Sequence, residues 1–266
     1  MENGLKIAIS GKGGVGKTTL SALLSHLFAE DGPVLAVDAD PDANLGSALG
    51  FDQTILERLV AISTDKELIK QRTGAEPGVS GQIFTLNPRV DDIPDKYVVE
   101  KNGVKLLRMG KVASGGSGCA CPENTLLKQL LRHMVVKRNE TVVLDMEAGL
   151  EHFGRGTADS VDAFIVVIEP GQRSIETARE VIRLAKDIGV ERVYAVVNKV
   201  HPGQWEKVRT MIDFIPVLGY FPFDFRVVEA DLDRRNVYET LPEFTEYAKK
   251  IKNQLISLLQ EPMTVN

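Results

Sequence analysis

The chain has 266 residues, 43% of them hydrophobic and 26% charged, and a net charge of −5. Its length suffices for one large α/β core, and its acidic balance excludes the basic footprint of a DNA- or RNA-binding protein. No apolar run approaches the ~20 residues of a membrane helix, and a strand pattern begins within a few residues of Met1, so the expectation is a single domain over 1–266, cytoplasmic, without signal peptide and with no membrane or nucleic-acid partner.

The predicted elements begin with an apolar strand over 5–10 and a helix over 20–28. Between them lies Gly11-Lys12-Gly13-Gly14-Val15-Gly16-Lys17-Thr18-Thr19, a glycine-rich turn in the strand–turn–helix setting of a phosphate-binding P-loop. Glycine permits positive φ, so the backbone N–H groups of Gly13, Gly14, Val15 and Gly16 can close on an anion at the helix N-terminus. Lys17 reaches the outer phosphates of ATP or ADP, Thr18 offers its hydroxyl to Mg²⁺, and Thr19 extends the same turn. An ordinary flexible turn does not need four glycines, two lysines and paired threonines in this order.

A second strand over 34–37 ends in Asp38-Ala39-Asp40-Pro41-Asp42. Carboxylates then stand at the end of the sheet where ligands sit in open α/β folds. Pro41 disfavours helix at Asp40 and holds the acids in an extended loop. Acids one residue apart can hold Mg²⁺ through water and orient an attacking water; behind a P-loop that role outweighs a merely solvated acidic loop. Residues 55–72 carry a rough helical stripe (Ile55, Leu59, Ile62, Leu68, Ile69) and read as one helix. Residues 73–81 are turn-rich, 83–86 form a short strand candidate, and Asp91, Asp92 and Asp95 around Pro94 mark a loop. Strand-like runs at 97–100 and 104–109 flank Lys101-Asn102-Gly103, a strong hairpin signal. The hairpin interrupts the β–α alternation and is expected to form a small accessory layer on the main sheet.

The stretch 114–123 is too rich in Gly and Ser to build a core of its own. Pro122 suits the first turn of a helix continued by Leu126, Leu127, Leu130 and Leu131, so Cys119 and Cys121 fall at or just before a helix N-terminus. The dipole there favours thiolate, the form that binds soft or borderline metals; a redox or incidental pair is the alternative, and a structural disulfide is disfavoured in a reducing compartment. The run 140–146 reads as a buried strand ending in Asp145, placed like a Walker B acid to hold Mg²⁺ through water. His152, beyond it, is more readily a surface or supporting residue than a ligand. Strands are expected over 163–168, 192–197 and 217–221. Helices are expected over 174–188 (N-capped by Ser174, ended by Gly189), 225–232 and 243–259. In the last of these, Phe244, Tyr247, Ile251, Leu255 and Leu258 form a stripe with few lysines, the mark of a core helix rather than a membrane-surface one.

Lys12 completes the pattern K-G-G-x-G-K-T, which resembles the deviant Walker A motif of the ATPase class containing the nitrogenase iron protein, the septum-site protein MinD and the ParA partition proteins. With Gly115-Gly116-Ser117-Gly118-Cys119-Ala120-Cys121 ahead of residues 147–152, which by resemblance form the second switch loop, the chain more narrowly resembles the CooC/AcsF family of nickel-insertion ATPases, which serve carbon monoxide dehydrogenase and acetyl-CoA synthase. The match takes in residues 38–42, Leu86-Asn87-Pro88, Arg108-Met109-Gly110, Asp145-Met146 with Ala148-Gly149 and Glu151-His152, Arg155-Gly156-Thr157-Ala158, Ile168-Glu169-Pro170 and Asn198-Lys199, while Glu147 stands where the family has glycine. The resemblance implies an α/β P-loop NTPase fold, a mostly parallel sheet with helices on both faces, and Mg²⁺-dependent ATP hydrolysis. It implies that Lys12 crosses a dimer interface to neutralise transition-state charge at the partner's nucleotide, as an arginine finger does. It further implies that Asp40 positions the attacking water with Asp38 near the metal, that Asn198 reads the adenine ring, and that Pro222 and Phe223 pack beside the base. The cargo would be Ni²⁺, with Zn²⁺ able to substitute.

Cys119 and Cys121 are the only cysteines. Two thiolates leave a four-coordinate shell incomplete, so a twofold homodimer, driven by ATP or metal, is expected to bring four sulfurs to one ion. Two other functions compete. A MinD/ParA-like positioning ATPase would show a basic face or a basic C-terminal helix, which is not evident. An iron–sulfur electron carrier of the nitrogenase type has cysteines far apart rather than as C-x-C.

Overall fold

The computed structural model describes residues 4–79, 81–110, 121–147 and 160–261. Its centre is an eight-stranded sheet in the order β3-β4-β2-β5-β1-β6-β7-β8. The strands are β1 (Lys6–Gly11), β2 (Val34–Ala39), β3 (Val98–Lys101), β4 (Val104–Arg108), β5 (Thr141–Met146), β6 (Ala163–Ile168), β7 (Val193–Val200) and β8 (Val217–Pro222). Every neighbouring pair is parallel except β3–β4. The central strands KIAISG and AFIVVI are buried along their whole length, as strands covered on both faces must be.

Helices cover both faces. On one side α1 (Lys17–Ala29), α2 (Leu45–Ala48), α3 (Gln53–Leu56), α10 (Val237–Thr240) and α11 (Pro242–Gln260) pack over Ile7, Ile9, Ala36, Val143 and Val196. On the other, α4 (Lys66–Thr73), α5 (Ile93–Lys96), α6 (Pro122–Lys137), α7 (Gln172–Asp187) and α8 (Trp205–Met211) pack over Ala8, Val37, Leu144, Phe164 and Val197. A further helix, α9 (Phe225–Leu232), follows β8. As the C-terminal stripe predicts, Phe244, Ile251 and Leu255 of α11 are buried in the core. Lys252 Nζ caps the end of α1 through Leu27 O at 2.7 Å and Asp31 Oδ2 at 2.6 Å. Among the described residues no helix is long and apolar enough to cross a membrane.

Several expectations are corrected. The hairpin forms, with Asn102 and Gly103 at φ 51° and 78° as its two-residue turn demands. It is not a layer on the sheet, however: β4 pairs in parallel with β2, and the hairpin is the sheet's own edge. Val104, Leu106 and Leu107 are all fully buried, so β4 needs cover on both faces. Residues 55–72 do not form one helix. Ser63 N donates to Met109 O at 3.0 Å, a tertiary bond that breaks the helical ladder, and the Asp65 side chain accepts from Leu68 N at 2.9 Å to start α4 afresh. Residues 83–86 are not a strand; Ile83 is 98% exposed, and β3 already occupies that sheet edge. The loop expected around Pro94 contains the turn of α5, with Pro94 at its start. Helix α7 begins at Gln172 rather than being capped by Ser174, whose hydroxyl sits in the first turn and accepts from Glu169 N at 3.0 Å. Strand β2 runs on to Ala39, so Asp38 lies in the buried strand and not in an extended loop.

Candidate functional site

The P-loop leaves β1 at the carboxyl end of the sheet, beside the point where connections diverge to either side. Gly14 and Gly16 take φ of 78° and 98°, and Gly16 serves as the N-terminal boundary of α1. A Cβ at Gly13 or Gly14 would meet nothing within 4 Å, whereas one at Gly16 would strike Asn198 Nδ2 at 2.1 Å. The loop is thus open towards the ligand side and closed behind. Lys17, buried at 6% exposure, points its ammonium to Asp40 Oδ2 at 3.7 Å. Lys12 is half-buried at the start of the loop.

Beneath the loop runs a row of charges held in register across three strands: Arg108 on β4, Asp38 on β2 and Asp145 on β5. Both aspartates are fully buried. Thr18 and Ser21 of α1 donate hydroxyl hydrogen bonds to Asp145, Ser21 at 3.1 Å, and Leu45 N at the start of α2 donates to Asp38 Oδ2 at 3.2 Å. Burial, and then the neighbouring Asp145 charge, pushes Asp38 up to about 7. Burial raises Asp145 to about 6 against the opposing pull of the two hydroxyls. One oxygen of each, Asp38 Oδ1 and Asp145 Oδ2, is buried with no hydrogen-bond partner among the described residues. Two orphaned carboxylate oxygens beside a threonine hydroxyl are a donor set that fits a hard divalent cation such as Mg²⁺.

Above the loop opens a cavity of about 550 Å³ lined by Gly13, Gly14, Gly16, Lys17, Thr18, Thr19, Asp40, Asn198, Pro222 and Phe223. These expected residues therefore share one cleft; Val15 is buried under it. The Asn198 amide turns to the loop's backbone, with Nδ2 donating to Val15 O at 2.8 Å and Oδ1 accepting from Lys199 N at 2.9 Å. The cleft also takes in residues that the sequence reading did not single out: Val227, Val228 and Asp231 of α9, Arg234, and Tyr238 of α10. Ser21 was missed as well, although it follows Thr18 by three residues on α1 and so shares its face. No motif marks the α9–α10 wall; it reaches the cleft through tertiary packing alone.

Cys121 is the half-buried residue preceding α6, in extended conformation, and its carbonyl accepts from Thr125 N at 3.1 Å. Cys119, Ala148-Gly149, Glu151-His152 and 155–158 lie outside the described residues. Among the described residues no three His, Cys, Asp or Glu side chains gather as a metal-binding group.

The family model for the CobQ/CobB/MinD/ParA nucleotide binding domain matches residues 6–237. The chain is 44% identical over 254 residues to the carbon monoxide dehydrogenase accessory protein CooC of Rhodospirillum rubrum, covering 95% of this chain and 96% of that one. It is 42% identical to an uncharacterised ATP-binding protein of Methanocaldococcus jannaschii, covering 94% and 99%. Among solved structures, a chain of the MinC–MinD cell division protein complex of Aquifex aeolicus superposes with a TM-score of 0.66 at 21% identity, covering 98% and 97%. A ParA family ATPase of Chlorobium tepidum gives 0.67 at 16%, covering 96% and 99%. These two likenesses establish the P-loop NTPase fold.

Proposed function

We propose, from the premise that the chain belongs to the CobQ/CobB/MinD/ParA nucleotide-binding family, that it is an ATP-hydrolysing metallochaperone. In this reading it is a CooC-like accessory protein that binds Ni²⁺ between two copies and promotes its insertion into carbon monoxide dehydrogenase or acetyl-CoA synthase. The observation that carries the reading is the pairing, in a chain 44% identical to CooC, of a P-loop cleft with a Cys119-Ala120-Cys121 motif whose second cysteine immediately precedes α6. Helix α6 leads back into β5, so its N-terminus lies at the same end of the sheet as the P-loop.

Each residue then has a task. The N–H groups of 13–16 cradle the phosphates, Lys17 holds the outer ones, and Thr18, Asp38 and Asp145 hold Mg²⁺ directly or through water. Mg²⁺, when bound, supplies charge neutralisation at the phosphates. Asp40, poised beside Lys17, orients the attacking water. Lys12 serves the partner's nucleotide, while Asn198, Pro222 and Phe223 flank the base. Ni²⁺ is cargo, held by Cys119 and Cys121 of each copy; Zn²⁺ competes because raw affinity does not choose between the two ions.

The test is metal analysis of the purified protein together with activation of nickel-free carbon monoxide dehydrogenase and acetyl-CoA synthase, with and without ATP. The expected result is one nickel per dimer and activation that needs ATP hydrolysis. A protein that binds no nickel, and instead binds vesicles or DNA in an ATP-dependent way or carries a stable brown chromophore, sinks the reading.

A further inference from the structure

Consecutive residues of a strand point to opposite faces of the sheet. Strand β7 obeys this up to Val197: Val193, Ala195 and Val197 lie in one core, Tyr194 and Val196 in the other. Asn198 continues the second set and reaches the P-loop. Lys199 should therefore point away, but it does not. Its φ is 58°, a left-handed conformation that is strained for a non-glycine residue. The register against β8 shifts between Val197 and Val200, and Val200 falls back into the first core, one residue out of phase. The bulge turns Lys199 to the same side as Asn198. Its ammonium donates to Gly14 O at 2.6 Å and faces Glu169 Oε2, at the end of β6, at 3.4 Å.

We propose that Lys199 is a positioning residue for the P-loop, and that the strained bulge in β7 exists to deliver it there. Asn198 and Lys199 grip the consecutive carbonyls of Val15 and Gly14. Holding both carbonyls on the rear of the loop leaves its N–H groups directed at the phosphate side before any nucleotide arrives. Glu169 aims the ammonium. The inference rests on the nucleotide-binding reading of the cleft, and it adds a residue and a device that the P-loop motif does not contain. Since the grip acts on the resting loop, it contributes to binding of ATP and ADP equally and leaves the hydrolytic step alone.

The experiment compares wild type with Lys199→Met, Lys199→Arg, Lys199→Gly and Glu169→Gln. Dissociation constants for ADP and a slowly hydrolysed ATP analogue are measured by titration, with kcat and the melting temperature of the nucleotide-free protein alongside. Lys199→Met is expected to weaken both nucleotides about tenfold or more, the usual worth of one charge-assisted hydrogen bond, with kcat within about twofold. Lys199→Arg should recover most of the loss, and Glu169→Gln should show part of it. Lys199→Gly separates strain from grip: it should melt higher than wild type, because glycine accepts positive φ, yet bind nucleotide as poorly as Lys199→Met. Wild-type affinity in both Lys199→Met and Lys199→Gly overturns the proposal while leaving nucleotide binding intact. A wild-type protein that binds neither nucleotide overturns both readings at once.

Discussion

In the proposed function, two lysines of one loop separate binding from chemistry. Lys17 is buried beside Asp40, and its proposed task is on its own loop's phosphates. Lys17→Ala should weaken ATP and ADP alike by roughly tenfold to a hundredfold, as loss of a charge-assisted bond implies. Lys12→Ala should still bind both but hydrolyse ATP about a thousandfold more slowly, the lower end of what a finger residue supplies. Calorimetric titration and phosphate release read the two effects, and normal turnover by Lys12→Ala refutes the in-trans role. The buried acids make a separate prediction. Asp38 and Asp145 are raised from 3.8 to about 7 and about 6. Between those values and 3.8 the folded protein holds protons that the unfolded chain has released, so its stability is greatest on the acid side and falls as pH rises through the window. In chelator, with no nucleotide, the melting temperature should drop from pH 5 to pH 8. Asp38→Asn should flatten the drop, and Mg²⁺–ADP should restore stability at pH 8. A melting temperature that rises over that interval contradicts the assignment.

The next level up is the strand–loop–helix element. Gly16 combines positive φ with a side-chain amide where its Cβ would be. Gly16→Ala should therefore displace Asn198, unseat the start of α1 and abolish nucleotide binding, seen as loss of the melting shift that ADP gives wild type. This element was legible in the sequence because its signals are local: an apolar run, glycines at fixed offsets, then a helical stripe. The apolar strands and the Asn102-Gly103 turn were legible for the same reason. What was not legible depends on distant partners. The stripe at 55–72 is real, but a bond from Ser63 to Met109 breaks it. The hairpin announced its two strands, not the β2 edge that would receive them. Asp38 looked like a loop acid because nothing local shows that β2 continues two residues further into the core. Lys199 stood in the sequence only as part of the Asn198-Lys199 match, and its turn towards the P-loop depends on a register shift against β8 that no local signal marks.

For the molecule as a whole, a lysine that serves another copy's phosphates requires two P-loops face to face about a twofold axis. Sedimentation should show a shift from monomer to dimer on adding Mg²⁺–ATP or metal. A monomer under every condition, with hydrolysis intact, rules the arrangement out. The same axis sets the metal stoichiometry: one ion per dimer in wild type, a binding loss in Cys119→Ser or Cys121→Ser, and weaker binding as pH falls and thiolates take up protons. A change in either serine variant too small to detect excludes the shared thiolate site. The order of the sheet has a further consequence, for synthesis. Strand β1 is made well before β5 and β6, yet Ile7 pairs with Val143 on one side and Ala163 on the other. At ~5–20 residues per second the P-loop strand waits roughly seven to thirty seconds on the ribosome for its neighbours. A chain stopped after Lys137 lacks both, and should neither bind ADP nor show a cooperative melt. ATP is thereby a ligand only of a chain extended past β6, and the nascent chain up to that point is blind to it.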